Sequence, residues 1–92
     1  MKFYVASGVP NAEKVNLAAR ALTSRGHERT YDWTKHGDVS AEPPERKRVV
    51  AATETQAVVD AELVVLLLPG RFGTHAELGI SIATSANKRI LL

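Results

Sequence analysis

Short apolar runs alternate along the chain with longer stretches whose apolar residues recur at helical spacing. Residues 2–6 form a β-rich run that ends at Ser7-Gly8, a pattern typical of a buried strand followed by a tight turn. Pro10 is the kind of residue that opens a helix. From residue 12 onward apolar positions recur every three or four residues, and Gly26 indicates where this helix ends. The first 26 residues therefore predict a strand, a turn and a helix.

The middle of the chain repeats this order of strand and helix. Residues 27–33 favour a strand because Thr, Tyr and Trp occur there, and the polar residues 34–40 predict a loop. Pro43 and Pro44 mark the start of a second helix, with Ser40 or Glu42 as its expected N-cap. That helix is predicted over residues 45–59, with apolar positions at Val49, Val50, Thr53, Ala57 and Val58.

The last third of the chain contains the longest apolar run. Residues 63–68 are Leu and Val without alternation, which predicts a strand covered on both faces and hence a parallel sheet between helices. A helix over residues 75–85 and a strand over residues 89–92 are predicted to follow. The order β-α-β-α-β-α-β predicts one α/β domain over residues 1–92. We expect an open parallel three-layer sheet of flavodoxin-like or Rossmann-like type, with about four strands in the order 2-1-3-4.

Composition agrees with a globular domain and excludes several classes of protein. The 45% of hydrophobic and 24% of charged residues are ordinary values for such a domain. The chain has no cysteine, which excludes disulfides and cysteine-based zinc sites, and its start does not resemble a signal peptide, so we expect a cytoplasmic protein. No apolar run has the length of a membrane span. A net charge of +2 gives no indication of a nucleic acid polymer as partner.

Ligands of open parallel sheets bind beyond the carboxyl ends of the strands, where neighbouring loops diverge. Three segments meet this condition in the predicted fold: residues 7–11, 32–38 and 69–77. The third is the most informative because Gly70 and Gly73 let the backbone approach a ligand, and the start of the next helix offers free N–H groups. We expect the functional site on residues 70–78, around Glu77.

Glu77 falls in the first turn of that helix. The helix dipole favours its carboxylate, so we expect the group to be ionised at neutral pH and available as a nucleophile. The segment from Thr74 to Glu77 also matches a capping box, in which Glu77 bonds to the backbone of Thr74 instead. Spacing alone leaves both interpretations open.

Four features of the chain carry a family resemblance. They are Tyr4 before the Ser7-Gly8 turn, Ala61-Glu62 at the start of an apolar strand, the sequence Gly-Thr-His-Ala-Glu-Leu-Gly at residues 73–79, and Lys88 before the last apolar strand. Taken together they resemble the nucleoside 2-deoxyribosyltransferase family, which includes related nucleotide N-glycosidases. The resemblance covers nearly the whole chain and implies cleavage or transfer at the N-glycosidic bond of a nucleoside or nucleotide.

The resemblance implies catalytic roles for three residues. Glu77 matches the family's nucleophile, which attacks the anomeric carbon of the sugar as in a retaining glycosidase. Tyr4 matches a tyrosine that positions the nucleophile and the sugar, and Glu54 is the best match to a carboxylate that orders the sugar. The other interpretation of Tyr4 is a half-buried strand aromatic, and that of Glu54 is a solvent-facing helix charge.

Further residues are candidates for substrate binding: Ser7, Gly8, Asp32, Trp33, Gly70, Arg71, Gly73, Thr74 and His75. Trp33 either stacks on a base or belongs to the core, and Asp32 or Asp38 would bind a hydroxyl. His75 either donates to a base or phosphate or is exposed. Arg71 stands where many family members have an aspartate that helps to protonate the departing base, which a cation cannot do. It either grips a phosphate or is a solvated loop charge.

The remaining expectations concern cofactors, partners and alternatives to an enzyme. We expect no metal and no cofactor, since His27 and His36 have no partner at metal-ligand spacing. The resemblance implies a small-molecule nucleoside or nucleotide ligand and a homo-oligomer, and a bare terminal strand fits such an association. One alternative is a non-catalytic nucleotide-binding or regulatory module, which Arg71 would permit. The other is an interaction domain in which Glu77 only caps its helix.

Overall fold

The described strands of this protein form one parallel sheet, and helices connect the first three of them. The structure, a computed structural model, describes residues 1–37, 39–68, 77, 80 and 89–91. Its elements there are β1 (Lys2–Ala6), α1 (Ala12–Ser24), β2 (Glu28–Arg29), α2 (Pro44–Asp60), β3 (Leu63–Leu66) and β4 (Arg89–Leu91), with 3-10 turns at Val9–Asn11 and Trp33–Lys35. All the pairings are parallel and the strand order is β2-β1-β3-β4. The predicted fold class and strand order are confirmed.

The two long helices cover opposite faces of the sheet. Arg29 pairs with Phe3 in the strand register and its guanidinium reaches Asn16 of α1. The next residue, Thr30, reaches the backbone of Ala57 in α2. Successive side chains of an extended chain point to opposite faces, so these contacts place α1 and α2 on different sides of the sheet. Right-handed crossovers require the same arrangement, because the one through α1 runs from β1 to β2 and the one through α2 runs in the opposite direction, from β2 to β3.

The core lies around β1 and β3, the two central strands. Their register pairs Phe3 with Leu63 and Ala6 with Leu66. Because helices cover both faces, neither strand alternates between apolar and polar residues. The largest fully buried side chains are Tyr4, Phe3, Leu66, Val5, Val15, Val58 and Val64.

The second strand is shorter than the predicted 27–33. Only Glu28–Arg29 forms β2, although the Thr30 backbone N–H still donates to the Phe3 carbonyl at 2.9 Å. Asp32 then accepts from the Thr34 backbone N–H at 3.0 Å and starts the 33–35 turn, which directs Trp33 inward. The Trp33 indole N–H donates to the Val5 carbonyl at 2.7 Å. Aromatic residues occur in this segment because they pack into the core, so the prediction of a long strand was wrong.

The second helix differs from its predicted pattern in two respects. Pro43 is the N-cap of α2, so neither Ser40 nor Glu42 has the expected capping role. Of the predicted core positions, Val50, Ala57 and Val58 are buried, whereas Val49 is 57% exposed and Thr53 is also exposed. The stripe that faces the sheet runs from residue 50 through 57 and 58 at helical spacing, and Glu54 lies on it.

The end of the chain is described only in part. The third strand ends at Leu66, not at residue 68, and Leu68 is 63% exposed. Glu77 and Ile80 are helical, while the rest of the predicted helix 75–85 lies outside the described residues, as does the predicted strand end Leu92. In the described part of the chain no helix has the length and apolar content to cross a membrane.

Thr30 joins the end of β2 to α2, and we expect this bond to stabilise the fold. Its hydroxyl donates to the Ala57 carbonyl at 3.0 Å, and carbonyls in the last turn of a helix have no partner inside the helix. Replacing Thr30 by the isosteric valine should lower the free energy of unfolding by about 1–2 kcal/mol. Urea unfolding followed by circular dichroism measures this change.

The matched control is Thr53→Val, since the exposed Thr53 hydroxyl bonds only within α2, to the Val49 carbonyl. That variant should stay within about 0.5 kcal/mol of wild type. Equal losses of stability in the two variants would contradict the assigned role of Thr30.

Candidate functional site

The site lies where the strand order reverses, between the carboxyl ends of β1 and β3. Side chains fasten these two ends together: the Ser7 hydroxyl donates to the Leu67 carbonyl at 2.7 Å and accepts from the Asn11 amide at 2.9 Å. Gly8 is buried and its carbonyl accepts from the Asn11 backbone N–H at 2.9 Å. Adjacent loops of an open parallel sheet separate at such a point and leave room for a ligand. Ser7 and Gly8 thus lie at the expected edge, and their role in substrate binding stays a prediction.

Tyr4 and Glu77 are in direct contact. The Tyr4 side chain is fully buried in β1, and its hydroxyl donates to Glu77 Oε2 at 2.5 Å. Glu77 is 7% exposed. One oxygen of its carboxyl is therefore directed at the end of β1. Thr74, its partner in the capping interpretation, lies outside the described residues.

Glu54 brings a second carboxyl to the same place. It lies on the stripe of α2 that faces the sheet, its side chain is 23% exposed, and it hydrogen-bonds with Glu77. A solvent-facing helix charge would lie on the opposite face of α2, so the geometry supports the alternative in which Glu54 belongs to the site. Two carboxyl groups and a tyrosine hydroxyl thus form one cluster at the carboxyl end of β1.

His36 is a fourth member of this cluster that sequence reasoning missed. Its Nε2 lies 3.4 Å from Glu54 Oε1, its Nδ1 lies 2.9 Å from the Gly37 carbonyl, and its ring stacks on Tyr31 with centroids 5.9 Å apart. His36 lies in a polar segment of the sequence with no periodicity. It comes close to the sheet because Trp33, three residues earlier, is directed into the core. A search for metal-ligand spacing does not detect such a contact.

Burial determines the charge of the two carboxyls. Little water reaches Glu77, and this desolvation raises its pKa to about 8; the Tyr4 hydroxyl bond lowers the pKa in part, and the nearby Glu54 raises it again. Burial also raises the pKa of Glu54, against the opposing effects of His36 and of the hydrogen bond from Glu77. The expectation that the helix dipole keeps Glu77 ionised at neutral pH was wrong, because desolvation is the larger effect.

Tyr4 stays a hydrogen-bond donor throughout the accessible pH range. Its burial and the neighbouring Glu77 carboxyl both disfavour a phenolate and raise the pKa of Tyr4 far above the ordinary value. A permanent donor that faces a carboxyl favours the ionised form of that carboxyl. Tyr4 thus stabilises the ionised form of Glu77 relative to the protonated form.

Asp32 and Trp33 form the support of the site. The Trp33 ring is in the core, 5% exposed, which agrees with the core interpretation rather than with stacking on a base. Burial raises the pKa of Asp32, but hydrogen bonds from Thr34 and the charge of Arg29 outweigh burial and lower it overall. Asp32 therefore stays ionised as it caps the 33–35 turn and pairs with Arg29 at 3.1 Å.

The remaining predicted site residues lie outside the described part of the chain. These are Asp38, Gly70, Arg71, Gly73, Thr74 and His75. Their proposed contacts with a ligand stay predictions.

Other features of the described residues do not coincide with this cluster. Among them, no group of three or more His, Asp or Glu side chains has the arrangement of a metal site. An open groove of about 340 Å³ lies between the end of β2 and α2, and it is lined by Thr30, Tyr31, Thr53, Gln56, Ala57 and Asp60. Neither carboxyl of the cluster lines this groove.

The raised pKa of Glu77 predicts a pH dependence of stability. A carboxyl whose pKa is about 8 in the folded chain and 4.5 when exposed stabilises the fold below pH 4.5, and this contribution is lost as the pH rises through 8. We expect the free energy of unfolding to fall by a few kcal/mol between pH 5 and pH 9. Glu77→Gln cannot ionise, so it should show a flatter dependence and exceed the wild-type stability at pH 9. Urea unfolding across this range measures both curves, and a wild-type curve that parallels Glu77→Gln would contradict the shift.

Comparison with known proteins supports the fold of the chain but does not assign roles to its residues. No protein-family model matches the chain, and no curated protein matches it. Among solved structures, the chain is similar to BcmB, a CMP N-glycosidase from Clostridium botulinum, with a TM-score of 0.61 and 17% sequence identity. The match covers 98% of this chain and 68% of that protein. The chain therefore has the fold of this N-glycosidase, which supports the resemblance to the nucleoside 2-deoxyribosyltransferase family.

Proposed function

We propose that this protein cleaves or transfers at the N-glycosidic bond of a nucleoside or nucleotide, with Glu77 as the nucleophile. The observation that carries the proposal is the contact of Glu77 with Tyr4 and Glu54 at the carboxyl end of β1. Buried carboxyls that share hydrogen bonds at the ligand-binding edge of a sheet are typical of catalytic sites. The shared fold with a CMP N-glycosidase and the Glu-Leu-Gly motif support the same chemistry.

The proposed reaction has two steps. A Glu77 oxygen forms a bond to C1′ of the sugar while the bond from C1′ to the base nitrogen breaks, and its electron pair leaves with the base. The base takes up a proton, and the sugar remains as an ester of Glu77. Water, or a second base, then attacks C1′, the ester bond breaks, and the carboxylate is restored.

Glu77 has to lose its proton before it attacks. Glu54 is in hydrogen-bond contact with it and is the nearest acceptor, and a proton on Glu54 is then available for the departing base. This transfer would replace the aspartate that Arg71 displaces. The positive charge that develops on the sugar in the transition state also favours an ionised Glu77.

The second candidate function is a non-catalytic nucleotide-binding or regulatory module. A specific observation favours it: Glu77 is 7% exposed and its pKa lies above neutral pH. A protonated Glu77 can donate a hydrogen bond to a ligand but cannot attack it. Binding of a nucleotide without release of free base would distinguish this function from the enzyme.

The proposed activity predicts that pyrimidine and purine nucleotides release free base. CMP, dCMP, AMP and the corresponding nucleosides, incubated with the protein, are separated by liquid chromatography. Glu77→Gln should reduce the release of base on the order of a thousandfold because it removes the nucleophile. Tyr4→Phe should reduce it about 10- to 100-fold because it removes a hydrogen bond to the attacking carboxylate.

The matched control is Glu13→Gln, an exposed glutamate in the first turn of α1 that should retain wild-type activity. If no substrate yields base above the Glu77→Gln background, the enzyme proposal is wrong. Calorimetry with the same nucleotides then tests the binding module.

We also propose, from the family resemblance, that the protein acts in the cytoplasm as a homo-oligomer of two or more chains. In such an assembly a neighbouring subunit would complete the site. Light scattering over a range of concentrations should give a mass of at least two chains. A constant mass of one chain, 10.0 kDa, would contradict the expected association.

A further inference from the structure

Arg29 occupies a position that neither the sequence motifs nor the proposed chemistry uses. Its side chain is 16% exposed at the end of β2. One guanidinium nitrogen, Nη1, donates to the Asn16 side-chain carbonyl of α1 at 3.1 Å, and the other, Nη2, pairs with Asp32 at 3.1 Å. A planar guanidinium can hold two partners in fixed directions, which a flexible ammonium cannot do.

The partners of Arg29 fix the 33–35 turn. Asp32 accepts from the Thr34 backbone N–H at 3.0 Å and from the Thr34 hydroxyl at 2.5 Å. The Thr34 hydroxyl also lies 3.3 Å from the Asn16 side-chain carbonyl, but its one proton goes to the nearer Asp32 oxygen. From the other side, the indole bond of Trp33 ties the turn to β1. The turn is thus held through its N-cap and its first two residues.

His36 is the first residue after this turn, so the backbone of the turn determines where the His36 side chain lies. Its imidazole touches Glu54 of α2 and stacks on Tyr31, and Glu54 in turn faces Glu77 and Tyr4. The neighbouring charges also include Arg46 of α2 and Asp32, which act on the Tyr31 hydroxyl, and Arg29, which acts on Tyr4. A loop without regular secondary structure keeps a side chain in place only if its backbone is fixed nearby.

We propose that Arg29 is a positioning residue of the candidate site: its hydrogen bond to Asn16 and its ion pair with Asp32 hold the 33–35 turn where His36 lies against Glu54. The inference rests on the proposed function for its catalytic meaning. The contact between His36 and Glu54 favours the ionised form of Glu54, and Glu54 exchanges a hydrogen bond with the nucleophile. Arg29 therefore acts on the charge of Glu54 through the position of His36.

Titration of the glutamate side-chain carboxyls by carbon NMR tests this role without any turnover. Four variants of the full chain are compared: Arg29→Met, Arg29→Lys, His36→Asn and the exposed α1 residue Arg20→Met as a matched control. His36→Asn removes Nε2 and retains a donor at the position of Nδ1. We expect Arg29→Met and His36→Asn to move the Glu54 midpoint upward by similar amounts, and their combination to add little. Arg20→Met should leave the midpoint unchanged.

Arg29→Lys separates positioning from a direct effect of charge. It keeps the cation but cannot bond to Asn16 and Asp32 together, so we expect the Glu54 midpoint to move in the same direction as in Arg29→Met. A wild-type midpoint in Arg29→Lys, beside a shifted one in Arg29→Met, would show a direct charge effect and overturn the proposal. A wild-type midpoint in Arg29→Met or in His36→Asn would overturn it as well. The near-ultraviolet circular dichroism of Trp33 reports whether each variant is folded.

The same variants connect the inference to catalysis. In an active protein, Arg29→Met should move the pH profile of kcat in the direction of His36→Asn and lower kcat about tenfold, with a smaller change in KM. If the protein releases no base from any nucleotide, the proposed function is wrong, but the titration of Glu54 can still be measured and still tests the role of Arg29. The two hypotheses therefore fail on different measurements.

Discussion

The structure depends on the burial of two carboxyl groups beside a tyrosine hydroxyl. Glu77 and Glu54 lie in contact where the central strands end, and desolvation raises the pKa of both. Removing a carboxylate from water is costly unless it is protonated or bonded to donors. Tyr4 supplies one donor from β1 and His36 supplies a second contact from the 33–35 turn. The hydrogen bond between the two acids requires a proton on one of them, and the proposed attack requires that Glu77 has lost its own.

The fold positions the cluster through the order of its strands. β1 and β3 are neighbours, and the strands that follow them in the chain, β2 and β4, lie on opposite sides of this pair, which is the arrangement at which open parallel sheets bind ligands. The bond from Ser7 to the Leu67 carbonyl keeps the ends of β1 and β3 together. α2 then contributes Glu54 from one face of the sheet, in line with Val50 and Val58. A polar group on an otherwise apolar stripe is unfavourable for stability alone, which agrees with a functional origin of Glu54.

Much of the architecture could be predicted from the sequence, because parallel strands covered on both faces leave an unbroken apolar pattern. β1 was predicted with its observed bounds, and α2 with its bounds to within one residue. The short β2 could not be predicted, because Trp33 and Tyr31 are residue types that favour a strand. The backbone conformation is determined instead by the Asp32 cap and by the hydrogen bond from the Trp33 indole to the Val5 carbonyl. Thr53 and Val49 were wrongly predicted as core. Apolar residues lie on several faces of α2, and their spacing alone does not show which face packs on the sheet.

Site residues that belong to a recognisable sequence motif could be predicted. Site residues that reach the cluster only through tertiary contacts could not. Glu77 and Tyr4 were singled out through the resemblance, and the structure brings them into contact. His36 lies in a polar segment without periodicity and Arg29 in a predicted strand, and only the folded chain shows what they touch. The charge of Glu77 was predicted from the helix dipole, a local effect, whereas burial among residues distant in sequence determines it.

The most direct test is the titration of the Glu77 side-chain carboxyl by carbon NMR in the wild type and in Glu54→Gln. We expect a titration midpoint near pH 8 in the wild type, and a lower midpoint in Glu54→Gln because the neighbouring negative charge is gone. A wild-type midpoint near the ordinary 4.5, with no response to Glu54→Gln, would contradict the paired carboxyls on which the proposed chemistry depends.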